Sequence, residues 1–141
     1  MAVADERRDG LVRVAIASDA DVVTARQAGR QLAESLGLGS TDLTLVATAI
    51  SEVARNITTY AGSGEIVVRP VEQNGRRGIE VVARDSGPGI SDIDRAMQDG
   101  YTSGKGLGLG LPGARRLMDD FAISSHVGHG TTVTMTKWTR G

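Results

Sequence analysis

The sequence predicts a two-layer α/β (α+β) sandwich, a mainly antiparallel sheet covered on one face by helices. Three observations carry that expectation. Period-two alternation of apolar residues recurs near the start, the middle and the end of the chain. Two longer stretches between the first two of these keep helical spacing instead. Four of the strands form pairs joined by tight turns, at Asn74-Gly75 and at Gly128-His129-Gly130, and hairpins build antiparallel sheets.

Residues 1–10 are charged and read as a loose N-terminus, with one domain over 11–138. Leu11 to Ala17 alternates and is rich in β-branched residues, which makes a strand. Ser18 and Asp19 cap a helix over about 20–36, with Val22, Val23, Ala25, Leu32, Ala33 and Leu36 on its apolar side. After Gly37-Leu38-Gly39, Ser40, Thr41 and Asp42 offer a second cap. A long helix then runs to about Tyr60, its stripe formed by Leu43, Val46, Ala47, Ile50, Val53, Ala54 and Ile57. Glu65 to Arg69 and Gly78 to Arg84 are the first hairpin. A short helix near 91–98, a glycine run and a helix to about Phe121 follow. Ala122 to Val127 and Thr131 to Trp138 close the chain as the second hairpin. This order of strand, helix, helix, two strands, helix, helix, two strands buries one sheet face.

Composition narrows the function. At 141 residues the chain can bury a core without staples, and with no cysteine it has neither disulfides nor thiol chemistry. His126 and His129 flank a glycine turn and read as exposed turn residues rather than a metal pair. A net charge of −1 and 3% aromatics argue against nucleic acid, which wants a basic face and stacking platforms. No apolar run approaches a membrane span and Met1 to Glu6 lacks a signal-peptide core, so the expectation is a cytoplasmic protein.

The densest signal is Gly104-Lys105-Gly106-Leu107-Gly108-Leu109-Gly110-Leu111-Pro112-Gly113. Alternating glycines build no core, but they let successive N–H groups face one concavity. Pro112 suits a first helical turn, so the ribbon feeds a helix N-terminus, a natural seat for phosphate. Two familiar motifs fail here. A P-loop needs a glycine where Asp99 stands and Ser or Thr where Gly106 stands. Gly108 to Gly113 spells the dinucleotide fingerprint, yet no strand precedes it and Val133 occupies the acid position. A plain linker is disfavoured because Leu107, Leu109 and Leu111 are too apolar.

Other positions suit the same ligand. Glu52 and Asn56 lie one turn apart on the long helix, outside its apolar stripe. By default such a pair is ordinary surface, but Asn is a poor mid-helix residue. A carboxylate and an amide oxygen at this spacing suit a magnesium–phosphate site, Asn56 as the metal ligand and Glu52 as proton acceptor. Asp85 opens Asp85-Ser86-Gly87-Pro88-Gly89, either a plain turn or an acceptor for an exocyclic amine, with Gly87 and Gly89 admitting a flat ring. Thr131 reads by default as a strand residue. Lys105, the only lysine before Lys137, can reach a phosphate or stay solvated.

Together these segments resemble the GHKL ATPase family. Glu52 to Asn56 is similar to its N box, Asp85 to Gly89 to its first glycine box, Gly104 to Gly110 to its second, and Gly128 to Thr132 to its third. Within the family, Ser51 to Ile57, Asp99 to Ser103 and Gly110 to Asp119 are similar to the RsbT-type switch kinases of the stressosome. The resemblance implies a Bergerat fold, Mg-ATP binding, and phosphate transfer to a serine or threonine of a STAS-domain antagonist. It implies a stressosome scaffold and a downstream PP2C-type phosphatase as further partners. It makes Glu52 the base, Asn56 the magnesium (Mg2+) ligand, Asp85 the adenine reader and Thr131 its helper. Gly104, Lys105, Gly106, Leu107, Gly108, Leu109 and Gly110 then cover the phosphates. Tyr60 stands where sensor kinases often carry histidine, and there is no phospho-acceptor helix, so a histidine kinase is disfavoured. The alternative is a nucleotide-dependent anti-sigma factor that binds partners without phosphotransfer.

Overall fold

The computed structural model describes residues 10–90, 97 and 110–140. Five strands form one sheet in the order β1-β2-β3-β5-β4, with every neighbouring pair antiparallel. They are β1 (Val12–Ile16), β2 (Gly64–Gln73), β3 (Arg76–Asp85), β4 (Asp120–His126) and β5 (Gly130–Trp138). The described helices are α1 (Asp19–Ser35), α2 (Ser40–Tyr60) and α3 (Gly110–Leu117). The short helix expected near 91–98 falls outside the described residues apart from Met97, which is buried in the core.

Alternation decides the two faces of the sheet. Val12, Val14 and Ile16 are buried while Arg13 and Ala15 are exposed. In register with them, Ile66, Val68, Val81, Ala83, Val133 and Met135 line the same inner face. Against that face α2 sets Val46, Ile50, Val53 and Ile57, all but removed from solvent. Each such side chain contributes about 1.5–3 kcal/mol of burial. The outer face carries ion pairs instead, Arg13 and Arg84 with Glu65 and Arg69 with Glu80.

Local chemistry sets the element ends. Ser18 caps α1 by accepting from the Asp21 N–H, and Asp21 Oδ2 accepts in return from Ala17 N at 2.9 Å, one residue before the position a capping box uses. Leu38 N–H reaches Ala33 O and Gly37 N–H reaches Glu34 O, the Schellman closure. At Asn74-Gly75 both φ values are positive, 54° and 78°, as a two-residue hairpin requires.

Several boundaries differ from expectation, each for a physical reason. Val23 is exposed while Val22 is buried, because successive helical residues cannot both face the sheet. The α2 N-cap is Gly39 with no side-chain cap; Asp42 instead turns inward to Arg140 and Lys137. Strand β2 continues through Pro70 to Gln73, since β1 ends its pairing at Val68 and Pro70 lies on a free edge. Helix α3 stops at Leu117, not near Phe121. There the Asp119 N–H donates to Thr136 O and the Asp119 carboxylate accepts from Trp138 N, which starts β4 at Asp120.

Candidate functional site

The inner row of β5 runs Thr131, Val133, Met135, Lys137, polar at both ends and apolar between. The sequence motifs collect at the Thr131 end. Asp85, the last residue of β3, is the cross-strand partner of Thr131, and Ser125 of β4 faces Thr131 from the other side. Ser125, Thr131 and Asp85 therefore form a polar row on the face that the helices cover. Directly opposed side chains of this kind stand about 4.5–5.5 Å apart at Cβ.

Past Asp85 the chain turns sharply. Asp85 Oδ1 accepts from Gly87 N at 2.9 Å, an Asx turn that fixes the carboxylate against its own backbone. A Cβ on Gly87 would lie 2.5 Å from the Cβ of Ala61, just past α2, so only glycine lets the loop and helix meet. Gly89 is likewise pressed on the His126 carbonyl and carries φ +79°. The loop is tied down at its far end, where Ile90 N donates to Ser125 Oγ at 2.7 Å and Pro88 O accepts from Gly128 N at 2.8 Å.

Glu52 and Asn56 approach from α2. Glu52 is buried, 8% exposed, whereas its place outside the apolar stripe predicts a surface residue. Helix α3 accounts for the difference. The Gly110 N–H, first of that helix, donates to Glu52 Oε1 at 2.9 Å. A carboxylate thus satisfies an otherwise unpaired amide at a positive helix end. The other oxygen, Oε2, lies 3.2 Å from Arg55 Nη1, whose side chain is exposed. Asn56 is half-buried and has no hydrogen-bond partner among the described residues. Its free amide oxygen, one turn from a held carboxylate, fits a magnesium ion that keeps water and phosphate for its remaining ligands.

The structure thus joins Glu52 to Gly110, and Asp85 to Gly87 and Thr131, with Ala61 against Gly87 linking the two groups. Gly104, Lys105, Gly106, Leu107, Gly108 and Leu109 lie outside the described residues. Sequence reasoning missed Ser125. The signal was available by counting back from the hairpin turn, which pairs Ser125 with Thr131 across the strands. Among the described residues no helix is long and apolar enough to cross a membrane.

Comparison with known proteins bears on the family and the fold. The model of the family described as "Histidine kinase-like ATPase domain" matches residues 15–137. The serine/threonine-protein kinase RsbT of Bacillus subtilis (strain 168) is 48% identical over 127 residues, which cover 90% of this chain and 96% of that protein. An anti-sigma F factor of Caldanaerobacter subterraneus subsp. tengcongensis is 33% identical over 99 residues, 66% of this chain and 68% of its own. Among solved structures, the RsbU and RsbW domains of a Mycobacterium tuberculosis protein superpose with a TM-score of 0.56 at 20% identity, covering 92% of this chain and 33% of that one. At that identity the likeness speaks for the fold alone.

Proposed function

Because the chain belongs to the histidine kinase-like ATPase family, we propose that it is an Mg-ATP-dependent protein serine/threonine kinase of a sigma-factor pathway. The observation that carries the reading is the likeness to a serine/threonine kinase across 96% of that protein's length. The protein acceptor is a serine or threonine of a STAS-domain antagonist held on a stressosome scaffold. Transfer then frees the kinase to activate a PP2C-type phosphatase in the cytoplasm.

In this reading each residue has a defined task. The Asp85 carboxylate, held by Gly87 N–H, accepts from the exocyclic amine of ATP, and Thr131 supports it from β5. The glycine ribbon from Gly104 to Leu109 surrounds the phosphates with amide donors, while the Gly110 N–H holds Glu52. Asn56 would hold magnesium, which supplies charge neutralisation at the phosphates when bound. Glu52 accepts the proton of the acceptor hydroxyl as its oxygen attacks the γ-phosphorus and ADP leaves. A carboxylate offers about four lone-pair sites, so the contacts to Gly110 and Arg55 leave room for that proton. Catalysis here is mostly positioning and electrostatics.

Incubation with γ-labelled Mg-ATP and a STAS-domain protein tests the reading: label is expected on a serine or threonine of the partner. A second reading, a nucleotide-dependent binding module, is favoured by the likeness to an anti-sigma F factor over 66% of the chain. It predicts complex formation with all label remaining on nucleotide.

A further inference from the structure

Ser125 has three polar contacts and one proton. Its Oγ accepts from Ile90 N at 2.7 Å, lies 3.0 Å from Gly130 O, and lies 2.8 Å from Thr131 Oγ1. A carbonyl oxygen only accepts, so the Gly130 contact uses the Ser125 proton. The remaining contact is then a hydrogen bond only if Thr131 is its donor. The alternative, Ser125 donating to Thr131, would leave two acceptors facing each other at 3.0 Å with no hydrogen between them. Only the first arrangement satisfies all three contacts. A further fact agrees with it: among the described residues no hydrogen bond joins Thr131 to Asp85, although the two are cross-strand partners on one face. With its proton committed to Ser125, Thr131 has only lone pairs to present, as does the carboxylate beside it.

We propose that Ser125 sets the polarity of the base pocket: by taking the Thr131 proton it leaves Thr131 and Asp85 as paired acceptors, which select a 6-amino purine over a 6-oxo purine. The inference rests on the nucleotide-binding reading above and adds a specificity-determining residue to it. A 6-amino group offers two N–H donors on one nitrogen. A 6-oxo purine instead places a third acceptor at position 6 and moves its edge donor to N1, away from the place the amino group fills. This mismatch costs more than a lost bond, since buried polar atoms are left unpaired. Ser125 touches no ligand in this account. It acts through Thr131, and its bond to Ile90 N keeps the Asp85–Gly89 loop in place.

The test is calorimetric titration of the full chain with ATP and with inosine triphosphate, which differs from ATP at the 6-position edge. In Ser125→Ala the Thr131 hydroxyl is free to rotate and donate to an oxo group. The ratio of the two dissociation constants is expected to narrow by about five- to tenfold, the size of one hydrogen bond. Ser125→Thr, which keeps the hydroxyl, is expected to restore the wild-type ratio. Thr131→Val is expected to narrow the ratio as well, and it decides the matter if Ser125→Ala does not fold. An unchanged ratio in folded Ser125→Ala, or in Thr131→Val, overturns the proposal; so does equal weakening of both nucleotides, which is what a merely structural Ser125 would give. A wild-type chain that binds neither nucleotide overturns the nucleotide reading itself.

Discussion

The two ends of the inner sheet face use buried charge in opposite ways. At the Lys137 end every charge closes on a partner. Lys137, 4% exposed, donates to Leu117 O at 2.9 Å, the C-terminal end of α3, and lies 3.5 Å from Asp119 and 4.0 Å from Asp42. Asp42, itself buried, also receives Arg140 at 3.1 Å. At the Thr131 end, backbone amides fix the carboxylates, Glu52 by Gly110 N–H and Asp85 by Gly87 N–H, and the arginine that meets Glu52, Arg55, is open to solvent. A carboxylate fixed by an amide keeps its charge and its spare lone pairs. The lesson is that counting buried charges does not locate the site; what matters is whether the partner cancels the charge or merely aims it.

The largest expected effect tests that distinction at Glu52. Glu52→Gln keeps an oxygen for the Gly110 amide but cannot take a proton. Phosphotransfer is expected to fall by about 10²–10⁴, the usual contribution of a positioned base, with the chain folded and nucleotide bound. Single-turnover assays and calorimetry on one preparation read both. If transfer persists at the wild-type rate, Glu52 belongs with the structural charges and the contrast between the ends fails.

The reciprocal change is Lys137→Met. It leaves the buried Asp42 with only the exposed Arg140 and leaves Leu117 O without its donor. Removing one member of a buried pair costs about 3–5 kcal/mol, to be read by urea unfolding, while affinity for ATP should hold. The double change Asp42→Leu with Lys137→Met is expected to be less harmful than the single one, since no buried carboxylate is then left with a solvent-exposed arginine as its sole cation. A double mutant worse than the single would show that the charges, not the filled volume, hold this end together.

A smaller effect is expected at Asp85. Asp85→Asn retains an oxygen for Gly87 N–H but replaces the acceptor facing the base with an amide. Hydrogen bonds to charged groups are worth about 1.5–3 kcal/mol, so ATP affinity should fall roughly tenfold to a hundredfold. Unchanged affinity would remove Asp85 from the base pocket and move adenine recognition elsewhere.

These positions were not equally legible. The β1 alternation, the α2 stripe and the Asn74-Gly75 turn could be read directly, because each is a local pattern with one structural solution. Glu52 and Asn56 stood out by spacing and chemistry, yet the burial of Glu52 depends on α3, 58 residues away in sequence. No window on α2 contains that information. Lys137 was passed over for the same reason: its partners come from α2, α3 and the turn before β4. Ser125 is a hydroxyl in an edge strand, where local composition carries no meaning. Its role appears only when the β4–β5 register places it beside Thr131 and the loop brings Ile90 back to it. Long-range polar contacts are what a periodicity reading lacks.

The smallest expected effect marks the boundary of the far-end network. Arg140 is exposed, and the Asp42 carboxylate raises its pKa, first through the hydrogen bond and then through its charge. A raised pKa in the folded state means that the arginine's contribution is complete below the ordinary arginine range and is lost only as pH rises above it. Arg140→Gln should therefore destabilise far less than Lys137→Met, and the loss of this cation should itself give no pH dependence around neutrality. Added salt should shrink the difference from wild type, as it does for ion pairs open to solvent. Unfolding at low and high ionic strength reads this. A loss matching that of Lys137→Met, insensitive to salt, would place Arg140 inside the buried network and make the far end a three-charge lock rather than a lysine seated between two acids.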